Sequence, residues 1–323
     1  LSLGLTTISA ETDSLEAALS QADVACYAAK SQGRNRVVVY QSDDNDSLRR
    51  HQELERVATL RQALENEQFC LYGQPIRRLN STDSKPVFYE LLIRLRDSDG
   101  NIILPGAFIP AAERYDLMPS IDRWVIRTAL QRYATLFNRE AGVSMTLNLS
   151  GTSLNDKTLL AFILEQISNS SVPPEHICFE ITETAAINNL VQATQFITAL
   201  RKRGCRIALD DFGSGFCSVN YLKMFPVDYL KIDGSFVRTL TENPVDHAVV
   251  QSINHIAQIM GVQTIAEYVE NDQIIDRLQT IGVDFVQGYG IGRPQPLEQL
   301  LDASSTPPVR RAPALRVINS KQA

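Results

Sequence analysis

The sequence predicts an α/β chain whose main body is a TIM-like (β/α)8 barrel with a short N-terminal α/β fragment ahead of it. Eight short runs rich in β-branched residues, at 69–76, 87–95, 143–149, 177–182, 205–210, 229–232, 262–266 and 283–286, alternate with segments of helical spacing. Their span of about 250 residues is the usual size of such a barrel. A unit of glycine, apolar strand and polar residue also recurs, at 204–210, 261–267 and 282–287, as if each glycine ended a helix and each strand delivered a polar group at its far end. An open doubly wound sheet is the other arrangement these elements allow.

Taken in order, residues 1–40 read as strand (1–8), helix (14–31) and strand (37–40), too little for a domain of their own. Residues 41–54 form a linker that opens with a polar run, 41–47, and passes into a charged helical stretch over 48–65. The barrel then occupies 55–303. Between its strands the apolar residues fall at helical spacing, as in Leu190, Val191, Ala193, Phe196, Ile197 and Leu200, or Val249, Val250, Ile253, Ile256, Ala257 and Met260. The tail, 304–323, has Pro307, Pro308 and Pro313 and no clean period, so it is expected at the surface without regular structure.

Composition excludes several classes. The chain has 323 residues, 44% hydrophobic, with 31 Lys and Arg against 37 Asp and Glu, and no basic run. Duplex nucleic acid is therefore not an expected partner. There is no apolar stretch of transmembrane length and no signal peptide pattern. The chain begins at Leu1 without Met, and the expectation is a piece of a longer protein. Cys26, Cys70, Cys178, Cys205 and Cys217 are odd in number and make no C-x-x-C pair, which favours reduced thiols and a cytoplasmic setting, or the cytoplasmic part of a membrane-anchored protein. His51, His176, His247 and His255 make no metal-ligand spacing and read as surface or packing residues.

The C-terminal ends of the predicted strands carry Glu90, Asn148, Glu180 with Glu183 a turn later, Asp210 and Asp211, Lys231, Glu267 and Gln287. In a parallel barrel these ends share one mouth. One such residue is equally well a strand end emerging into water. A set holding five carboxylates is not, because ionised groups that interrupt apolar strands are costly unless paired or metal-bound. Carboxylates so close would repel one another, and a divalent cation resolves that repulsion. An oxygen-only ligand set points to Mg²⁺ or Mn²⁺ rather than Zn²⁺. The adjacent Asp210 and Asp211 suit a pair of ions roughly 3.5–4 Å apart, which activate water and hold a phosphoryl oxygen. Lys231, with Asp233 nearby, is the candidate to orient the water or stabilise developing charge. The glycine-containing segment 211–218 reads as a movable loop beside these ligands, or as an ordinary strand-to-helix turn.

Over about residues 55–300 the chain resembles the EAL-type cyclic di-GMP phosphodiesterases. Its signature triplet stands as Glu90-Leu91-Leu92, with Leu91 for the usual Ala, followed by Arg94. Further matching pieces are Gln74-Pro75-Ile76, Phe108-Ile109-Pro110, Asn148-Leu149-Ser150, Glu180-Ile181-Thr182-Glu183, Asp210-Asp211-Phe212-Gly213, Leu230-Lys231-Ile232-Asp233, Ala266-Glu267 and Gln287-Gly288-Tyr289. The resemblance implies hydrolysis of cyclic di-GMP to linear pGpG, with two Mg²⁺ or Mn²⁺ ions held by Glu90, Asn148, Glu180, Asp210, Asp211 and Glu267. It implies catalytic roles for Glu90, Asp211, Glu267 and Lys231, the last positioning the water. Gln74, Arg94 and Gln287 would meet the substrate, Gln287 close to the metal centre, and Glu183 would anchor the loop. A homodimer through the barrel follows from the same likeness. The alternative it leaves is a catalytically silent cyclic di-GMP receptor.

Two departures stand out: Tyr268 occupies a position usually held by Gly, and Phe216-Cys217 replaces a common Tyr-Ser in the loop. Residues 1–40 resemble the end of a diguanylate cyclase domain through Ala22-Asp23, Tyr27, Lys30 and Gly33-Arg34-Asn35. The defining loop of that domain is absent, so no cyclase activity is expected. The implied parent has upstream cyclase and sensor domains.

Overall fold

The computed structural model describes residues 2–8, 14–31, 36–40, 57–81, 86–134, 143–214 and 222–303. The chain forms two compact units, Leu1–Thr59 and Leu60–Ala323. In the first, β1 (Leu3–Leu5) and β2 (Val37–Val39) pair in parallel, with the helix Leu15–Ser31 between them in sequence. The expected strand, helix and strand are thus present. The linker residues 41–54, the tail 304–323 and Gly33-Arg34-Asn35 lie outside the described residues.

The second unit is a closed eight-stranded barrel wrapped by helices. Its strands are β3 (Phe69–Arg78), β4 (Phe88–Arg96), β6 (Ser144–Leu149), β7 (Ile177–Thr182), β8 (Arg206–Phe212), β9 (Tyr229–Ile232), β10 (Gln263–Ala266) and β11 (Phe285–Gln287). The two-residue strand β5 (Ile102–Ile103) pairs with the end of β4, and β12 (Gln295–Pro296) with the middle of β3 at Tyr72 and Gly73. From β4 round to β11 every neighbouring barrel pair is parallel.

The barrel differs from an all-parallel one in a single strand. β3 runs antiparallel to both of its barrel neighbours, β4 and β11. The cause is length: residues 79–87 are too few for a crossover helix, so the chain can only return as a hairpin. Beyond Leu91 the strand β4 has left β6 and pairs only with β3 and, at its end, β5. Glu90 is therefore the third residue of a nine-residue strand rather than its C-terminal end.

Helix boundaries follow local chemistry. The helix Pro244–Met260 starts with the Asn243 side chain accepting from the Val245 amide and a proline in its first turn, and the helix Asp272–Ile281 starts with Asn271 accepting from Ile274. Gly261 (φ 69°) and Gly282 (φ 86°) end them in the left-handed region, as the recurring glycine units predict. Among the described residues no helix is long and apolar enough to cross a membrane.

The barrel interior is layered. Because alternate residues of a strand face the same side, Ile76, Phe88, Cys178, Ala208, Tyr229, Ile265 and Phe285, one from each of seven strands, meet as a buried apolar plug. Phe88, Tyr229 and Phe285 pack edge to face, with ring centroids 5.2, 5.6 and 5.9 Å apart. Two residues along on the same faces stand Glu90, Glu180, Asp210, Lys231, Glu267 and Gln287, with Gln74 two positions back on the reversed β3. In β6 the corresponding pair is Thr146 and Asn148.

Candidate metal and substrate site

Lys231 is the hub of the upper layer. It is fully buried, and its Nζ lies 2.8 Å from Glu180, 2.8 Å from Glu267, 3.1 Å from Asp210 and 3.8 Å from Glu90. Burial alone would drive the ammonium toward neutrality, but the surrounding carboxylates, Asp210 foremost, hold its pKa well above the ordinary lysine value. It is a fixed positive charge. Glu90 is also pushed up by burial, but Lys231 and hydrogen bonds from Gln287 and Asn148 outweigh that, and its pKa lies below the ordinary value. Asn148 donates to one Glu90 oxygen at 2.8 Å, and the Gln287 amide donates to the other. The same Gln287 amide lies 3.3 Å from the Gln74 carbonyl, and Gln74 donates to the Gly292 carbonyl at 3.1 Å.

One lysine cannot balance this layer. Burial raises Glu180 to about 8, against the pull of Lys231 and with Glu90 and Asp210 adding repulsion. Burial likewise raises Glu267 to about 8, and Asp211 to about 6 with Asp210 and Asp233 contributing. Were all five carboxylates ionised, Lys231 and Arg94 together would leave the cavity with a surplus of negative charge that divalent cations can offset. Glu180 Oε1 and Gln287 Oε1 are buried without a hydrogen-bond partner. Such orphaned oxygens cost free energy unless a cation or another donor takes them up. Carboxylate oxygens of Asp210, Asp211 and Glu267 also lie within 4.8 Å of one another, close enough to share an ion. The residues fit hard divalent ions, on their oxygen chemistry and on these unused acceptors.

Asp210 and Asp211 reach the same cavity because the strand is irregular there. Adjacent residues of a regular strand face opposite sides. The β8–β9 register shifts between Leu209 and Phe212, and Asp211 takes φ 54°, so both carboxylates line the mouth. Such a backbone costs a non-glycine residue about 1–3 kcal/mol, a cost concentrated at functional sites in many proteins. Glu183, in the first turn of the helix Glu183–Asn188, accepts from the Gly213 amide at 2.8 Å and so holds the start of the loop after Asp211. Residues 215–221, with Phe216 and Cys217, lie outside the described residues.

Gln74, Glu90, Arg94, Asp210, Asp211, Glu267 and Gln287 all line one cavity of about 360 Å³. Glu180 and Lys231 are buried below it, Asn148 joins through Glu90, and Glu183 supports it from behind. Arg94 stands on the β3–β4 arm, its guanidinium 5.3 Å from the centre of the Tyr72 ring, with Nη1 donating to the Ile93 carbonyl at 2.8 Å. Asp233 also caps the helix Gly234–Arg238, its carboxylate accepting from the Ser235 amide at 2.7 Å.

Sequence reasoning missed Asp122. This buried carboxylate, on the helix Met118–Arg132, accepts from the Ser150 amide at 3.0 Å and hydroxyl at 2.8 Å, which fixes the chain two residues beyond Asn148. Tyr289 was also given no role of its own, although it lines the cavity together with Tyr268.

A closed barrel with one inverted strand and an acidic, lysine-centred mouth defines the class of this protein. The chain belongs to the EAL domain family, whose pattern it matches over residues 57–294. It is 43% identical over 294 residues to the cyclic di-GMP phosphodiesterase PdeB of Shewanella oneidensis, covering 91% of this chain and 34% of that protein. Among solved structures it is similar to a PaMucR phosphodiesterase in complex with c-di-GMP (TM-score 0.72, 31% identity, 76% of this chain and 99% of that one). It is also similar to the c-di-GMP-bound EAL domain of FimX from Pseudomonas aeruginosa (TM-score 0.69, 32% identity, 74% and 96%). The chain spans about a third of the length of curated relatives that it matches.

Proposed function

We propose that this chain hydrolyses one phosphodiester of cyclic di-GMP to give linear pGpG. The observation that carries the reading is the convergence of Glu90, Glu180, Asp210, Asp211 and Glu267 round the buried ammonium of Lys231, with acceptors left over. Similarity to named cyclic di-GMP phosphodiesterases supports the substrate.

Glu90, Asn148, Glu180, Asp210, Asp211 and Glu267 would hold two Mg²⁺ or Mn²⁺ ions. When bound, these supply Lewis acidity and a water ionised at neutral pH. Lys231, fully buried among these carboxylates, would orient the water or stabilise developing charge. Asp211 or Glu267 would take up the proton that the water gives away, and that proton is returned to the ribose oxygen that leaves when the P–O bond breaks. Glu183 steadies the loop after Asp211 through Gly213. Gln74, Arg94 and Gln287 bind the substrate, with the guanidinium of Arg94 matched to a phosphate. A cytoplasmic setting is part of the proposal, supported by Cys26, Cys70, Cys178 and Cys205 being free thiols.

The test is chromatography of products after incubation with cyclic di-GMP and Mg²⁺ or Mn²⁺, beside a chelator control. Metal-dependent pGpG is the expected result. Intact substrate that is tightly bound in the same sample would make the chain a receptor instead.

A further inference from the structure

Tyr268 directly follows Glu267 in the cavity wall and holds a backbone conformation that its side chain disfavours, φ 53°. The fold makes room for it. A Cβ at Gly234 would lie 2.0 Å from the Tyr268 ring, so that glycine leaves the space the ring occupies. The guanidinium of Arg238 sits 3.9 Å from the ring centre and covers one face. Half of the residue remains exposed, at 50%, so the ring adds little to the core. Glycine at 268 would remove the strain, and the structure retains an aromatic ring at that cost. Strain kept at an exposed pocket residue, without a packing return, is a mark of function.

We infer that Tyr268 is a specificity-determining residue of this chain, a platform on which one guanine base of the substrate stacks while the adjacent acidic layer handles the phosphates. The inference rests on the substrate proposed above. A purine has a flat apolar face, and base–aromatic stacking is a main source of affinity for exposed bases. Arg238 holds the ring from one side, fixing its orientation and leaving a preformed stacking surface.

Steady-state kinetics with cyclic di-GMP and Mg²⁺ test this. Tyr268→Gly should raise KM about tenfold or more, with kcat changing far less and Tm unchanged or higher. Tyr268→Phe, which keeps the ring, should retain the wild-type KM. Gly234→Ala, which pushes the ring aside, should raise KM in the wild-type background and add nothing to Tyr268→Gly. An unchanged KM in Tyr268→Gly would overturn the inference, as would a Tyr268→Phe loss equal to that of glycine. Wild-type protein that neither binds nor cleaves cyclic di-GMP would instead remove the substrate reading itself, and the stacking role with it.

Discussion

The lower and upper layers of the barrel interior stand on the same strands, two residues apart, and they follow opposite rules. The lower plug of Phe88, Tyr229, Phe285 and their neighbours is apolar and close-packed, and it stabilises the fold by removing surface from water. The upper layer is the reverse. Its carboxylates are buried beside one another round a single lysine, and without further cations it works against folding. The plug keeps the barrel closed, and the acidic layer spends part of that stability to hold charge where a ligand can use it. A barrel designed for stability alone would carry apolar residues at both levels.

The largest expected effect separates the layers by function. Asp210→Ala or Glu90→Ala should lower hydrolysis of cyclic di-GMP by about a thousandfold or more at saturating Mg²⁺. Thermal unfolding of either variant should show the fold intact, since both residues line the cavity rather than the plug. Normal turnover in either would break the site assignment.

In the lower layer, Phe285→Ala should destabilise the protein by about 3–5 kcal/mol, read from denaturant unfolding. Its turnover per folded molecule should stay near wild type at low temperature. Equal losses of stability and turnover per folded molecule would show the layers to be one functional unit.

Lys231→Met tests the boundary between them. In metal-free protein it leaves the carboxylates without their cation, and breaking a buried charge cluster in this way costs about 3–5 kcal/mol. Part of that loss is relieved as carboxyl groups take up protons, so the measured penalty should shrink below pH 5. A Tm equal to wild type at pH 8 would contradict the role given to Lys231.

A further effect is the pH dependence of metal-free stability. Glu180 and Glu267 titrate at about 8 in the folded chain, against an ordinary carboxyl near 4.5. Between those values the folded state binds more protons than the unfolded one, so stability falls as pH rises. Tm of metal-free protein should therefore drop from pH 5 to pH 8, and added Mg²⁺ should offset the drop. A Tm rising over that window without metal would reverse the sign of the account.

Much of this division was legible before any coordinates. A polar residue closing an apolar β-branched run, as in Leu230-Lys231 or Ala266-Glu267, marks the upper layer, and the residue two before it marks the plug. The inversion of β3 follows from chain length, since the nine residues 79–87 cannot hold a crossover helix. Other features need tertiary structure. Asp122 reads as an ordinary polar position on an amphipathic helix, and only the fold brings Ser150 to it. That Asp210 and Asp211 share one cavity depends on a register shift and a left-handed residue that adjacent carboxylates do not announce.

The central claim is that the acidic layer exists to hold two divalent ions. Calorimetric titration of Mn²⁺ into metal-free protein at pH 7, in two buffers of different ionisation enthalpy, tests it most directly. The account predicts two ions bound per chain with net proton release, because Glu180 and Glu267 start largely protonated, and weakened binding in Asp210→Ala. No saturable binding, or the same binding and proton release in Asp210→Ala, would contradict it.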